Sequence, residues 1–260
     1  AAAPGRTVRL VRAHRLGSVG YPTSQQLQRA LAADVRAGTR GDTLLLLEHP
    51  PVFTLGRLQP SAENVLASRR EIAAAGATVE RSTRGGNVTF HGPGQLVAYP
   101  ILDLARFRRS VHWYVEGLEE TMIRTAASFG VSARRGGAGE TGVWVQDRKL
   151  GAIGVTVSRW VTTHGVSLNV ATDLSFFGMI VPCGLEHKRH VTSLAAEVAE
   201  RIQMDQVMSA FEEAFGQVFE CSVARAPVAE LERELERAAD AAITTARDGE
   251  AEGAGRPAVA

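Results

Sequence analysis

Along the chain the hydrophobic positions switch repeatedly between a period of two and a period near 3.6, the mark of strands alternating with helices. Thr7 to Leu16 alternates as a strand; Arg6, Arg9, Arg12 and Arg15 also give it the look of a transit peptide, but it runs into a helix signal rather than a cleavage site. That helix shows a capping box at Thr23 and Gln26, an apolar face of Leu27, Leu31 and Val35, and a stop at Gly38. Thr43 to Glu48 is an apolar run between Gly41 and Pro50, suited to a strand buried on both faces. A second helix is expected over Glu63 to Ala75 ahead of Gly76, then a strand at Thr78 to Arg81, a Gly-rich stretch from Arg84 to Gln95, and a strand over Leu96 to Leu102. Ser110 can cap a long helix in which Val111, Val115, Leu118, Met122 and Phe129 recur at helical spacing before Gly130.

Gly142 to Val145 and Leu150 to Ser158 read as a hairpin about Asp147, followed by a third strand, Thr162 to Val170. There His164, Val166, Leu168 and Val170 share one face, and Gly165, Ser167 and Asn169 the other. Helices are expected over Ser193 to Arg201 and Asp205 to Phe215. From Val228 onward Leu231, Leu235 and Ala239 make a thin stripe, and beyond Arg247 the composition predicts disorder. The order of elements predicts an α/β (α+β) fold: a mixed central sheet flanked by helices, with residues 1–227 as one domain and 228–260 as a charged helix and disordered tail.

With 260 residues, 45% of them hydrophobic, the chain can bury a sizeable core. Its 29 basic and 28 acidic residues balance, which excludes a protein that coats nucleic acid or anionic membrane and makes any basic docking surface local. No apolar run approaches the roughly 18 residues of a membrane helix. Cys183 and Cys221 are the only cysteines, so there is no disulfide framework and a reducing, cytoplasmic setting is expected. Of the 29 basic residues 27 are Arg, leaving only Lys149 and Lys188. A lysine amine can give up its proton where a guanidinium cannot, so a lysine kept in such a background invites a chemical explanation.

Cys183 lies in Val181-Pro182-Cys183-Gly184, a loop context in which Gly permits close approach of a substrate, whereas Cys221, between Phe219 and Val223, reads as packing. A nucleophilic thiol needs a cation or a base to raise its thiolate fraction; Lys149, His91, His164, His187 and His190 are the candidates. The stretch RGGNVTFHGPGQ, Arg84 to Gln95, exposes backbone N–H groups but matches neither the dinucleotide fingerprint nor the phosphate loop, so it implies no nucleotide. Cys183, His187 and His190 could supply three zinc ligands, but no fourth is near. No metal is expected, and the segment with Lys188 and Arg189 reads as a basic patch.

RGGNVTFHGPGQ, Lys149 to Gly154, His164-Gly165 and Pro182-Cys183-Gly184 occur together and in order, and in this the chain resembles the lipoyl(octanoyl) transferases. The resemblance implies a fold like the catalytic domains of lipoate and biotin protein ligases, no cofactor, and a role in lipoate biosynthesis and protein lipoylation. The implied reaction moves an octanoyl group from acyl carrier protein to the lysine of lipoyl domains, those of 2-oxoacid dehydrogenase acyltransferase subunits and the glycine-cleavage H protein. Carried over by motif, Cys183 is the acyl-accepting nucleophile and Lys149 its activating partner, in a monomer that needs neither nucleic acid nor membrane. The implied acyl contacts are Arg84, Gly85, Gly86, Asn87, Val88, Thr89, Phe90 and His91, then Ala152, Ile153 and Gly154, then His164, Gly165, Val166 and Ser167. Ile153 stands where many members carry Leu, and Val166-Ser167 where an aromatic or Leu followed by Ala is usual, differences that bear on acyl-chain length. Small residues at 152, 154 and 165 are expected to leave room for an alkyl chain. Arg134, Arg135, Arg148, Lys188 and Arg189 are candidates to steer acidic partner proteins. The competing readings are an ATP-dependent lipoate or biotin-type ligase, a cysteine thioesterase, and a non-catalytic acyl-binding module.

Overall fold

The structure is a computed structural model that describes residues 8–137, 139–181, 191–198, 201–233, 236 and 240. The chain opens with β1 (Arg9–Ser18) and α1 (Tyr21–Ala37). The helix begins at Gly20 with Pro22 in its first turn, not at the expected capping box, because a proline has its φ preset and lacks an N–H where none would find a partner. It stops at Gly38, whose φ of 75° returns its N–H to the carbonyls of Asp34 and Val35. In β2 (Thr43–Glu48) Leu44 to Leu47 are all fully buried. β3 (Val52–Leu55) follows two prolines and is too short to announce itself in the sequence. The helix expected from Glu63 is confined to α2 (Arg69–Ala74), where Ser68 and Glu71 cap each other reciprocally. Upstream, the N–H groups of Leu66 and Ala67 are drawn instead to the Met179 carbonyl at 2.9 and 3.1 Å.

β4 (Thr78–Arg81) leads to β5 (Val88–His91), a fully buried strand inside the Gly-rich stretch, and β6 (Gln95–Ile101) leaves it. α3 (Val111–Ala127) is capped by Ser110, whose hydroxyl accepts from the Trp113 N–H. Short β7 (Arg134–Arg135) and β8 (Val143–Val145) precede the long hairpin of β9 (Arg148–Ser158) and β10 (Val161–Asn169). α4 (Leu194–Glu197) is one turn rather than the helix expected to Arg201, because Val198 is already extended. α5 (Met204–Val218) and β11 (Cys221–Arg225) complete the elements. The expected helical stripe and tail past Arg233 fall almost wholly outside the described residues.

The large sheet has the order β11-β1-β2-β6-β10-β9-β8-β7, parallel from β11 to β2 and antiparallel from there on. α3 and α5 cover one face, burying Leu44, Leu46, Leu96, Leu168, Phe211 and Phe215. α1 covers part of the other against Leu45, Leu47, Val97 and Ile101. Beside α1 stands a small sheet of order β4-β3-β5 with its own core of Phe53, Val88, Phe90 and Phe177. Alternation along β10 puts Val166, Leu168 and Val170 into the α3–α5 core. His164 departs from the face expected for it: its φ of 58° interrupts the alternation and its ring lies instead against Tyr99 and Thr83. At the next residue β10 and β6 approach so closely that a Cβ on Gly165 would lie 2.1 Å from the Ala98 carbonyl oxygen and 2.7 Å from Pro100 Cδ. Gly165→Ala is therefore expected to cost about 2 kcal/mol or more, read as a lowered urea midpoint; an unchanged midpoint would show slack between these strands.

Candidate active site

A narrow slot of about 30 Å³, open at one side to solvent, lies between the small sheet and the face of the large sheet beside α1. Arg84, Gly86, Thr89 and His91 form one wall, and Ala152, Ile153, Gly154 and His164 to Ser167 the other; Tyr21 and Tyr99 complete it. A second recess shares Thr89, Ala152 and Ser167 with this slot and continues to Gln95, Asn169 and Lys149. The alternation of β5 builds the first wall: Val88 and Phe90 enter the core of the small sheet while Thr89 and His91 face the slot. Ile153 and Val166 pack their side chains toward the α3–α5 core, so their backbones are what the slot meets.

Of the residues expected to touch an acyl chain, Gly85, Asn87, Val88 and Phe90 are thus not on the slot walls. Gly85 joins the two sheets instead, its N–H donating to the Val155 carbonyl at 3.1 Å and so pinning the Gly-rich stretch to β9. Gly154 answers it, since a Cβ there would lie 2.9 Å from Arg84 Cδ and 3.0 Å from the Gly85 oxygen. Contrary to expectation, Gly154 and Gly165 therefore admit neighbouring chain rather than making room for a ligand. Arg84 is 7% exposed and anchored to β3: Nη2 donates to the Thr54 carbonyl at 2.6 Å and to its hydroxyl at 2.8 Å, and Nε to the same hydroxyl at 3.1 Å. Tyr21 and Tyr99 have no sequence signal beyond their place in an otherwise apolar pattern.

Lys149 is 7% exposed, with Nζ 5.4 Å from the centre of the Trp144 ring. Gly142, at φ 128°, lets the aliphatic stem pass: a Cβ there would be 2.8 Å from Lys149 Cε. Cys183 lies outside the described residues, as do His187, Lys188, Arg189 and His190, the remaining members of the zinc set and the basic patch. The two flanks of residues 182–190 are placed. Val181 donates its N–H to the Asn64 carbonyl at 2.7 Å; Val191 bridges Lys149 as a parallel partner, and Thr192 donates its N–H to the Lys149 carbonyl at 2.9 Å. Of the arginines expected to steer partners, Arg135 pairs with Glu116, Glu119 and Glu120, and Arg148 with Glu197, while Arg134 donates to the Gln146 carbonyl.

Two buried histidines, His91 and His164, line the slot, and a third, His49, stands behind His91 with ring centroids 5.7 Å apart. His49 Nδ1 faces the Val19 carbonyl, which can only accept, so that nitrogen carries the proton and Nε2 accepts from the Tyr99 hydroxyl at 2.8 Å. Burial lowers the His49 pKa to about 4, and burial followed by the Arg84 charge lowers that of His164 to about 4. His91 is held well below its usual value, first by burial and then by His49. All three rings are neutral at neutral pH, so among the described residues Arg84 in the slot and Lys149 in its recess are the basic side chains that line the site. Cys221, by contrast, is pushed up to about 11 by burial, an inert thiol. Among the described residues no group of three or more His, Cys, Asp or Glu could hold a metal, and no helix is long and apolar enough to cross a membrane.

The sequence profile of the lipoyl protein ligase A/B catalytic domain matches residues 20–216. An octanoyltransferase of Solibacter usitatus is 48% identical over 206 residues, covering 79% of this chain and 91% of the relative. A mitochondrial octanoyltransferase of Arabidopsis thaliana is 42% identical over 215 residues, covering 81% and 91%. Among solved structures, a lipoate-protein ligase A bound with ATP aligns with a TM-score of 0.73 at 16% identity over 87% of this chain and 92% of that one. A putative lipoate protein ligase of T. acidophilum with bound lipoic acid aligns at 0.70 and 16% over the same shares. These two likenesses show the fold.

The histidine environments set a pH dependence. Their folded pKa values lie below the unfolded 6.5, so the unfolded chain takes up more protons between pH 6.5 and about 4. The stability held above pH 6.5 is lost as pH falls through that window, on the order of 3 kcal/mol for each of His49 and His164. Urea midpoints measured from neutral to acid pH should fall steeply, and His49→Gln should flatten the slope; a variant as pH-sensitive as the parent would remove His49 from this account.

Proposed function

Because the chain belongs to the lipoyl protein ligase A/B family and, within it, to the octanoyltransferases, which are acyltransferases, we propose that it carries an octanoyl group from acyl carrier protein to the lysine of lipoyl domains through a thioester on Cys183. The observation that carries the reading is the position of Lys149. Its buried side chain lines the recess that continues the slot, and its backbone holds Val191 and Thr192, where the chain returns from the segment bearing Cys183.

In the first half-reaction the Cys183 thiolate, stabilised by the Lys149 ammonium, attacks the thioester carbonyl of the donor. A carbon–sulfur bond to the enzyme forms, the donor's carbon–sulfur bond breaks, and the Lys149 ammonium gives its proton to the departing carrier thiolate, which leaves as a thiol and turns Lys149 into the amine. In the second, the neutral lysine amine of the acceptor attacks the enzyme thioester. The amide bond forms, Cys183 departs as thiolate, and Lys149 in its amine form accepts the proton shed by the nitrogen. Thioester exchange conserves the energy of the acyl bond, so no nucleotide is consumed, and the kinetics are ping-pong. The stretch of β10 from Ser167 to His164 spans about 10 Å, the scale of an extended eight-carbon chain. The neutral rings of Tyr21, Tyr99, His91 and His164 stand where such a chain would lie. Residues 1–227 would act as the catalytic domain.

The test is intact mass after incubation with octanoyl carrier protein. The expected result is one octanoyl adduct, absent in Cys183→Ser and retained in Cys221→Ser. Lys149→Arg, which keeps charge but cannot exchange a proton, should lower transfer by roughly a hundredfold or more. The lipoate ligase likeness makes adenylation the second reading: product from free octanoate with ATP, and none from octanoyl carrier protein, would establish it instead.

A further inference from the structure

Gln28 interrupts an apolar helix face. The residues that α1 turns toward the sheet include Tyr21, Leu27, Leu31 and Val35, and Gln28 lies among them, 1% exposed. Its Oε1 accepts the backbone N–H of His164 at 2.6 Å. The need for that acceptor originates in β6. The register between β10 and β6 pairs Ser167 with Val97 and Val166 with Ala98, and it resumes at the bridge of Val161 with Asp103, so His164 falls opposite Pro100. Proline has no N–H to give, and the Pro100 carbonyl is taken by the Thr162 hydroxyl at 2.7 Å. The ladder is broken there; His164 turns to φ 58° within the strand, and its N–H goes to Gln28 instead. The same turn carries the His164 ring from one wall of the slot to the other. Its Nε2 lies 3.0 Å from the hydroxyl of Thr83, which leads into Arg84 on the opposite wall, and the ring meets Tyr99 edge-on with centroids 6.2 Å apart.

Beyond this ring the two walls are joined by main chain. His164 pairs with Val155, whose carbonyl takes the Gly85 N–H at 3.1 Å, and at the next pair the Thr156 hydroxyl donates to the Thr83 carbonyl at 2.7 Å. Lys149 stands at the other end, past Ala152 and Ser167. An acyl chain whose carbonyl lies by Lys149 therefore ends at His164, and each further carbon would have to enter the space that the ring holds. For stability alone Gln28 is a poor choice: among the described residues its Nε2 has no hydrogen-bond partner, and neither has His164 Nδ1. An apolar side chain would fill the helix face without stranding a buried donor, but it would leave the His164 N–H without its acceptor. We propose that Gln28 is a positioning residue that sets the length of acyl chain admitted, by holding His164 in the left-handed conformation that puts its ring across the remote end of the slot. The proposal rests on the acyl-transfer reading; Gln28 is not itself on the slot walls and acts through His164.

The test uses the full chain with hexanoyl, octanoyl, decanoyl and dodecanoyl carrier protein as donors, reading kcat/KM for transfer to a lipoyl domain and, alongside it, thermal melting. Gln28→Met keeps the length of the side chain but offers the His164 N–H no oxygen, whereas Gln28→Glu offers one in either protonation state. His164→Gly adopts the left-handed conformation without help and removes the ring. The parent should prefer octanoyl to dodecanoyl. Gln28→Met should lower that preference by about tenfold or more, the discrimination that a single methylene commands in an apolar pocket, while Gln28→Glu retains it. His164→Gly should lower it too, and adding Gln28→Met to His164→Gly should change it no further, because both act through one ring. Lost packing alone would lower the melting temperature and slow all four donors alike. A parent indifferent to chain length, or a folded Gln28→Met with the parent's preference, would overturn the proposal. Should Gln28→Met not fold, His164→Gly with the parent's preference would overturn it as well. A parent that transfers none of the four acyl groups would instead overturn the acyl-transfer reading, and the length gauge with it.

Discussion

The contact between Gly85 and β9 at Gly154 is the constraint on which the site depends. Two sheets, each with its own hydrophobic core, are joined there by a backbone hydrogen bond across a gap too small for a side chain. Arg84 makes the junction one-directional. Its guanidinium reaches back to Thr54 on β3, so the strand that supplies Thr89 and His91 is tied to the strands that supply Ala152 and Ser167. A methyl group at Gly154 would push the small sheet outward and open the slot along its length. The glycines of this stretch are explained by neighbouring chain, and the slot by what those neighbours leave uncovered.

Polarity in this region is arranged as chains of bonds that end on backbone carbonyls. His49 with Tyr99, and His91 with Gln95 and Asn169, each take a proton position dictated by an acceptor-only terminus. Each such bond contributes about 1 kcal/mol net, but stranding one buried member costs about 1–3 kcal/mol, so the networks resist rearrangement more than they add stability. The outcome is a slot whose wall carries one charge, the buried Arg84 guanidinium, next to a recess lined by Lys149, in a setting where an anion near either is poorly screened by water.

Much of the frame was legible in the sequence: the all-apolar β2, the Ser110-capped α3, the β9–β10 hairpin and the Gly-rich stretch each carry a local signal that tertiary packing keeps. The misses have identifiable physics. α2 is shorter than its apolar spacing suggests because the residues before Ser68 spend their N–H groups on Met179. β5 hides among glycines because its partner β3 lies 33 to 39 residues upstream, beyond the reach of a periodicity argument. His164 changes face through a single left-handed residue, which no alternation rule anticipates. Within the site, the motif residues were readable as a group but not one by one. Alternation inside β5 assigns Thr89 and His91 to the slot and Val88 and Phe90 to the core, and Tyr21 and Tyr99 join only through packing between α1 and β6.

The pairing of β11 with β1 has a consequence for the order in which the molecule is assembled. Cys221 lies beside Arg9, so strands from opposite ends of the sequence are neighbours in one parallel ladder. During synthesis every other strand of the large sheet is available before β11, and β1 presents an unsatisfied row of backbone groups until the last strand arrives. Docking of β11 is a long-range step, the slow kind, and it replaces the ten-residue edge of β1 by the five-residue edge of β11, so a chain halted before Cys221 would present the longer edge to any other nascent β-segment nearby.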